Sequence, residues 1–161
     1  MDADSRNVDG SGNHLRKEII IKKVNMEKKT KIIVLWLLTI CGFACHSITD
    51  ILPMFWGKDI AIATDGVVPG GMVAFMMLLS FFLPACAILC LLADTKGKAM
   101  RWVNVVMAGF IALFNIVHLC MELPSDNAGQ YLVLPMMVVI GLCLAYHSYT
   151  YMRASGNHHG R

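Results

Sequence analysis

The chain has 161 residues, 57% of them hydrophobic and only 16% charged, with a net charge of +3, and its mean hydropathy of +0.59 lies well above that of an ordinary soluble domain. This excludes a disordered protein and argues against a soluble enzyme. At about 20 apolar residues per crossing, four spans would use about 80 residues, which leaves little for a separate folded domain.

Residues 1–30 are polar and basic, with an apolar period only from Leu15 to Val24, and are expected to form a disordered cytoplasmic tail. Met26-Glu27-Lys28-Lys29-Thr30-Lys31 reads as a natural start just ahead of a membrane helix, so the residues upstream are expected to be an over-extension of the reading frame. The segment does not read as a cleavable leader, because the apolar run behind it is too long and lacks a small-residue cleavage pattern. Its position beside a membrane helix suits anionic lipid headgroups rather than nucleic acid.

Four apolar runs follow. The first, residues 32–55, has no charge before Asp50; the second, 72–93, holds no ionisable group except thiols, and Pro84 near its middle predicts a kink. The third, 103–121, is interrupted only by Asn104, Asn115 and His118, and the fourth, 131–152, has Pro135 near its start, a second expected kink, and His147 near its end. None shows period-two alternation. The linkers are short and carry turn compositions such as Asp94-Thr95-Lys96-Gly97-Lys98 and Pro124-Ser125-Asp126-Asn127. The expected fold is therefore all-α: a polytopic membrane protein built as a four-transmembrane-helix bundle over residues 31–153, with 154–161 as a short tail.

Lys and Arg number eight before the first run, then one, three, none and two in the successive segments. This alternation predicts that both termini face the cytoplasm. Trp36, Trp56, Trp102, Tyr131, Tyr149 and Tyr151 fall near run ends, as interfacial aromatic belts do. All six cysteines, Cys41, Cys45, Cys86, Cys90, Cys120 and Cys143, lie inside apolar runs at spacings unlike a redox pair, which points to a packing role. Twelve methionines offer soft thioethers for Cu(I), but no tight cluster of them lies in a loop.

The ionisable groups within the runs are costly to bury in lipid and mark candidate sites. At 100° per residue, Thr39, Gly42, His46, Thr49, Asp50 and Pro53 share an arc of about 100° on the first helix, and Asn104, Asn115, His118 and Glu122 share about 60° on the third. His46, Asp50, Asn115, His118 and Glu122 are thus the candidate polar pocket, on the outward side of the membrane. His46, Asp50, His118 and Glu122 are also candidate ligands for a divalent metal, and His46 with His118 for a haem. A proton relay suits the same set, since His titrates near neutrality. The plainer alternative is that His46 bonds Asp50, His118 bonds Glu122, and the pairs merely tie helix ends. On the fourth helix Gly141, Ala145 and Ser148 form a small-residue stripe suited to close packing. Phosphate-binding loops, nucleophile elbows, zinc-protease motifs, dinucleotide fingerprints and prenylation boxes are all absent from the sequence.

Asp50, the short loop leading into Arg101-Trp102-Val103-Asn104 and the compact four-span layout resemble small bacterial integral membrane proteins grouped as a family of unknown function. The resemblance implies a four-helix membrane fold in a bacterial inner membrane and brings no activity with it. Taken together, the expectation is a non-enzymatic membrane protein whose pocket serves proton-coupled or small-solute movement. The alternatives are a redox subunit holding haem or a metal, and a helical subunit of a larger complex. The expected partners are the lipid bilayer, a second copy or a membrane protein.

Overall fold

The computed structural model describes residues 8–60, 66–67, 69–93, 97–122 and 127–156. Helix α1 (Val8–Ile51) passes into a 3-10 turn at Leu52–Trp56; α2 (Gly70–Met77) and α3 (Leu83–Leu92) are joined through a π turn at Leu78–Phe82; α4 spans Lys98–Glu122 and α5 Gln130–Gly156. No strand occurs among the described residues. Four helical stretches, Leu15–Trp56, Gly70–Leu92, Lys98–Glu122 and Gln130–Ala154, are long and apolar enough to cross a membrane. By length and composition the chain is a multi-pass membrane protein. Leu37, Leu89, Val106, Leu113, Leu132 and Val139 all point outward, an arrangement costly in water and favourable against lipid tails.

The segment expected as a disordered tail is helical from Val8 onward; residues 1–7 and 157–161 lie outside the described residues. At 44 residues, α1 is about 66 Å long, more than twice the hydrocarbon thickness of about 30 Å. Proline is absent before Pro53, and Lys23, Glu27 and Lys31 stand four residues apart with alternating sign. A helix already nucleated in the apolar run extends through such residues without a second nucleation cost.

Inward-facing positions recur at alternating spacings of three and four. They are Ile32, Trp36, Thr39, Phe43 and His46 on α1, and Gln130, Leu134, Met137, Gly141, Leu144 and Ser148 on α5. This is the seam of a bundle with shallow crossing angles. Helix α5 packs against both α1 and α4, while α3 packs mainly on α1. The predicted small-residue stripe has a definite target: a Cβ at Gly141 would lie 3.1 Å from the Ala112 Cα and 3.2 Å from Asn115 Nδ2. Only a glycine lets the α4 and α5 backbones approach this closely.

Pro84 acts through the turn ahead of it. Its ring crowds the carbonyl four residues earlier, Ser80, and its missing N–H leaves that carbonyl without the usual donor; the π turn at Leu78–Phe82 widens the helix at that point. Pro135 sits inside α5 without interrupting it. The cysteines depart from the packing expectation, since Cys41, Cys45, Cys120 and Cys143 are exposed on the outside of the bundle and only Cys86 and Cys90 are half-buried. Where the surroundings are hydrocarbon, a thiol is as acceptable outside as inside.

Candidate functional site

The C-terminal end of α1 and the N-terminal end of α5 are locked together by the chain just before α5. Asn127 Nδ2 donates to the Thr49 carbonyl at 2.9 Å, and Asn127 Oδ1 accepts from the Gly129 N–H at 3.2 Å. Gly129 lies so close to α1 that a Cβ there would overlap Thr49 Cγ2. This clamp sets Gln130, the first residue of α5, against His46.

From Gln130 a line of hydrogen bonds crosses the bundle end. Its amide Nε2 donates to Asp50 Oδ1 and, at 3.4 Å, to the His46 carbonyl. Its Oε1 lies 2.7 Å from His46 Nδ1, and His46 Nε2 lies 2.9 Å from His118 Nε2. Asp50 Oδ2 stands 3.5 Å from His46 Nε2. The two imidazoles meet edge to face, with centroids 4.7 Å apart, and His118 stacks on Phe114 at 5.6 Å with the planes within 14°. Both rings are held on several sides. His46 is only 3% exposed, His118 is half-buried and the Asp50 side chain is 50% exposed, so the line runs from a buried ring to an accessible carboxylate.

The predicted residues divide accordingly. His46, Asp50 and His118 come together. Asn115 is buried one turn deeper, with Nδ2 donating to the Met137 carbonyl at 3.0 Å, and its buried Oδ1 has no partner among the described residues. Half-exposed Glu122 lies one turn beyond His118 and outside the bonded line, because His118 turns to His46 instead. Thr39 and Thr49 spend their hydroxyls on the carbonyls of Leu35 and Cys45 in their own helix. Gln130 escaped the sequence reading. It lies one position ahead of the last apolar run, and the signal for it in the sequence is its place opposite Asp50 and His46 if consecutive helices form hairpins.

No family model, curated protein or solved structure matches this chain. The residues themselves therefore carry the functional argument. Among the described residues no group of three His, Cys, Asp or Glu side chains is arranged to hold a metal ion. A metal–imidazole bond is about 2.0–2.1 Å, so a metal lying on the line between the two Nε2 atoms needs them about 4 Å apart. At 2.9 Å the nitrogens instead share a hydrogen bond. With the two nitrogens hydrogen-bonded to each other, a haem iron on the line between them would require the rings to separate.

A second polar layer lies at the opposite end of the bundle. Trp36 Nε1 donates to Asn104 Oδ1 at 3.0 Å, and Asn104 Nδ2 donates to Ser148 Oγ at 2.9 Å. Trp36, expected in an interfacial belt, is 0% exposed; its indole N–H has a buried acceptor and its ring fills the core. Trp56, Trp102, Tyr131 and Tyr149 are exposed as belt residues are. From Gln130 to Ser148, α5 covers about 27 Å, and between the layers Ala108, Ile111 and Leu144 are completely buried. This middle layer is mainly apolar, with Thr39 and Asn115 its buried polar side chains.

Proposed function

We propose that the chain is a membrane protein in which the His46–His118 pair takes up a proton from one face of the bilayer and releases it to the other, serving proton-coupled or small-solute movement. The observation carrying this reading is the unbroken line Asp50–Gln130–His46–His118, which joins two imidazoles, side chains that can both accept and donate a proton, to a carboxylate open at the bundle end. The mainly apolar middle layer argues for alternate exposure of the pair to the two faces and against a standing pore. The reading is tested with purified protein in vesicles enclosing a pH-sensitive dye, under an imposed potential. Proton entry is expected to exceed that of empty vesicles, to fall to their level in His118→Gln and to persist in His147→Asn. Equal rates in all preparations would remove the proposal.

The reading places both termini in the cytoplasm and the His pair at the outward end, in keeping with the Lys and Arg counts. A cysteine introduced at Ala128 is then expected to react with a membrane-impermeant maleimide in intact cells, above the background of the native chain. One introduced at Gly97 should react only after permeabilisation, and the reverse pattern would invert the assignment.

A further inference from the structure

We propose that Gln130, oriented by Asp50, is a positioning residue that gives the His46–His118 pair one direction for proton transfer, inward at His118 Nδ1 and outward to Asp50. The inference rests on the proton-handling reading of the same site. Gln130 faces two acceptors, Asp50 Oδ1 and the His46 carbonyl; a backbone carbonyl cannot donate, and neither can an ionised carboxylate. The amide must therefore present its NH₂ group to both, which leaves Oε1 for His46. An amide oxygen only accepts, so His46 Nδ1, 2.7 Å away, carries the proton. The Nε2 of neutral His46 is then a lone pair, and His118 Nε2–H donates to it across 2.9 Å. The remaining nitrogen, His118 Nδ1, has no hydrogen-bond partner among the described residues.

Each step then follows. An added proton bonds to the lone pair of His118 Nδ1. The His118 Nε2–H bond breaks as an N–H bond forms on His46 Nε2, and the positive charge moves to the ring beside Asp50 Oδ2 at 3.5 Å. Loss of that proton to Asp50 breaks the N–H bond and forms a neutral carboxylic acid. His118 is left protonated on Nδ1, with its bare Nε2 facing the bare Nε2 of His46. Two lone pairs at hydrogen-bond distance repel, so the His118 ring must turn, or α4 must part from α1, before another proton passes. Among the described residues the carboxylates on the elements that carry the two rings are Asp50 on α1 and Glu122 on α4, and Lys58 and Asp59 follow the turn at the end of α1; Gln130 on α5 and Phe75 on α2, which packs on Phe114, bring no charge.

The test is imidazole-nitrogen NMR of the full chain with isotopically labelled histidine, both rings neutral, the signals being assigned through His46→Gln and His118→Gln. The expected result is a single tautomer at each ring, protonated on Nδ1 in His46 and on Nε2 in His118. Gln130→Leu, which removes the acceptor, is expected to give mixed tautomers at His46. Gln130→Glu, which keeps an acceptor oxygen, should retain the Nδ1–H form, with an unchanged His147 signal reporting intact folding in both variants. An Nε2–H form of His46 in the native chain, or a His46 signal indifferent to Gln130→Leu, overturns the proposal. Proton entry into vesicles with the wrong tautomer defeats this inference alone, whereas the expected tautomers without proton entry defeat the functional reading beneath it.

Discussion

Gly141→Val is expected to destabilise the bundle by about 1–3 kcal/mol, the usual cost of forcing extra methyl groups into a filled interior. The first added carbon already lies 3.1 Å from the Ala112 Cα, a backbone atom that yields only if α4 moves as a whole. It also presses on Asn115 Nδ2 at 3.2 Å, the group that donates to the Met137 carbonyl. Gly109→Val is the matched control, since a Cβ at Gly109 meets nothing within 4 Å. The measurement is the unfolding midpoint of purified protein titrated from mild detergent into dodecyl sulfate, followed by circular dichroism. Equal midpoints for the two variants would mean that α4 and α5 do not approach as closely as described.

The second large effect is expected at His46. Leucine there fills most of the same volume but leaves Gln130 Oε1 and His118 Nε2 without their partner at 2.7 and 2.9 Å. An unsatisfied buried polar group costs about 1–3 kcal/mol, and His46→Leu strands one in the core, Gln130 Oε1, and takes the partner of half-buried His118. Its unfolding midpoint is expected to drop further than that of Glu122→Gln, whose side chain lies outside the bonded line, and further than that of His147→Asn. The same variant should lose proton entry into vesicles entirely. A stable His46→Leu protein with native proton entry would show that the line of bonds is incidental to both folding and function.

How much of this was legible in the sequence follows from what a membrane does to the usual signals. Apolar periodicity finds helices because they are long, but it cannot say which face turns inward when both faces are apolar. Only polar residues break that symmetry, and they did so at His46, His118, Asn104 and Asn115, whose stripes face the interior. The cysteines have no such contrast, so their outward placement was invisible. Trp36 misled because an aromatic near the start of an apolar run looks like a belt residue; the helix continues far ahead of that run, which places the indole inside the bundle. Gln130 was missed because its role depends on Asn127 and Gly129 bringing the start of α5 against the end of α1, a tertiary fact. Pro84 marked the irregular turn of its span, but the π geometry that accommodates it could not be read from the residue alone.

The position of α5 as the last spanning helix has a consequence for biosynthesis. It supplies Gln130 to His46, the Met137 carbonyl to Asn115 and Ser148 to Asn104, so three polar groups on earlier helices have incomplete bonding until it arrives. At elongation rates of about 5–20 residues per second, the interval between Asn104 and Ser148 leaving the ribosome is several seconds. During that time the polar stripes of α1 and α4 stay half-satisfied. Both polar layers are therefore completed last, when α5 docks, and a chain ending between α4 and α5 would lack the partners of His46, Asn104 and Asn115.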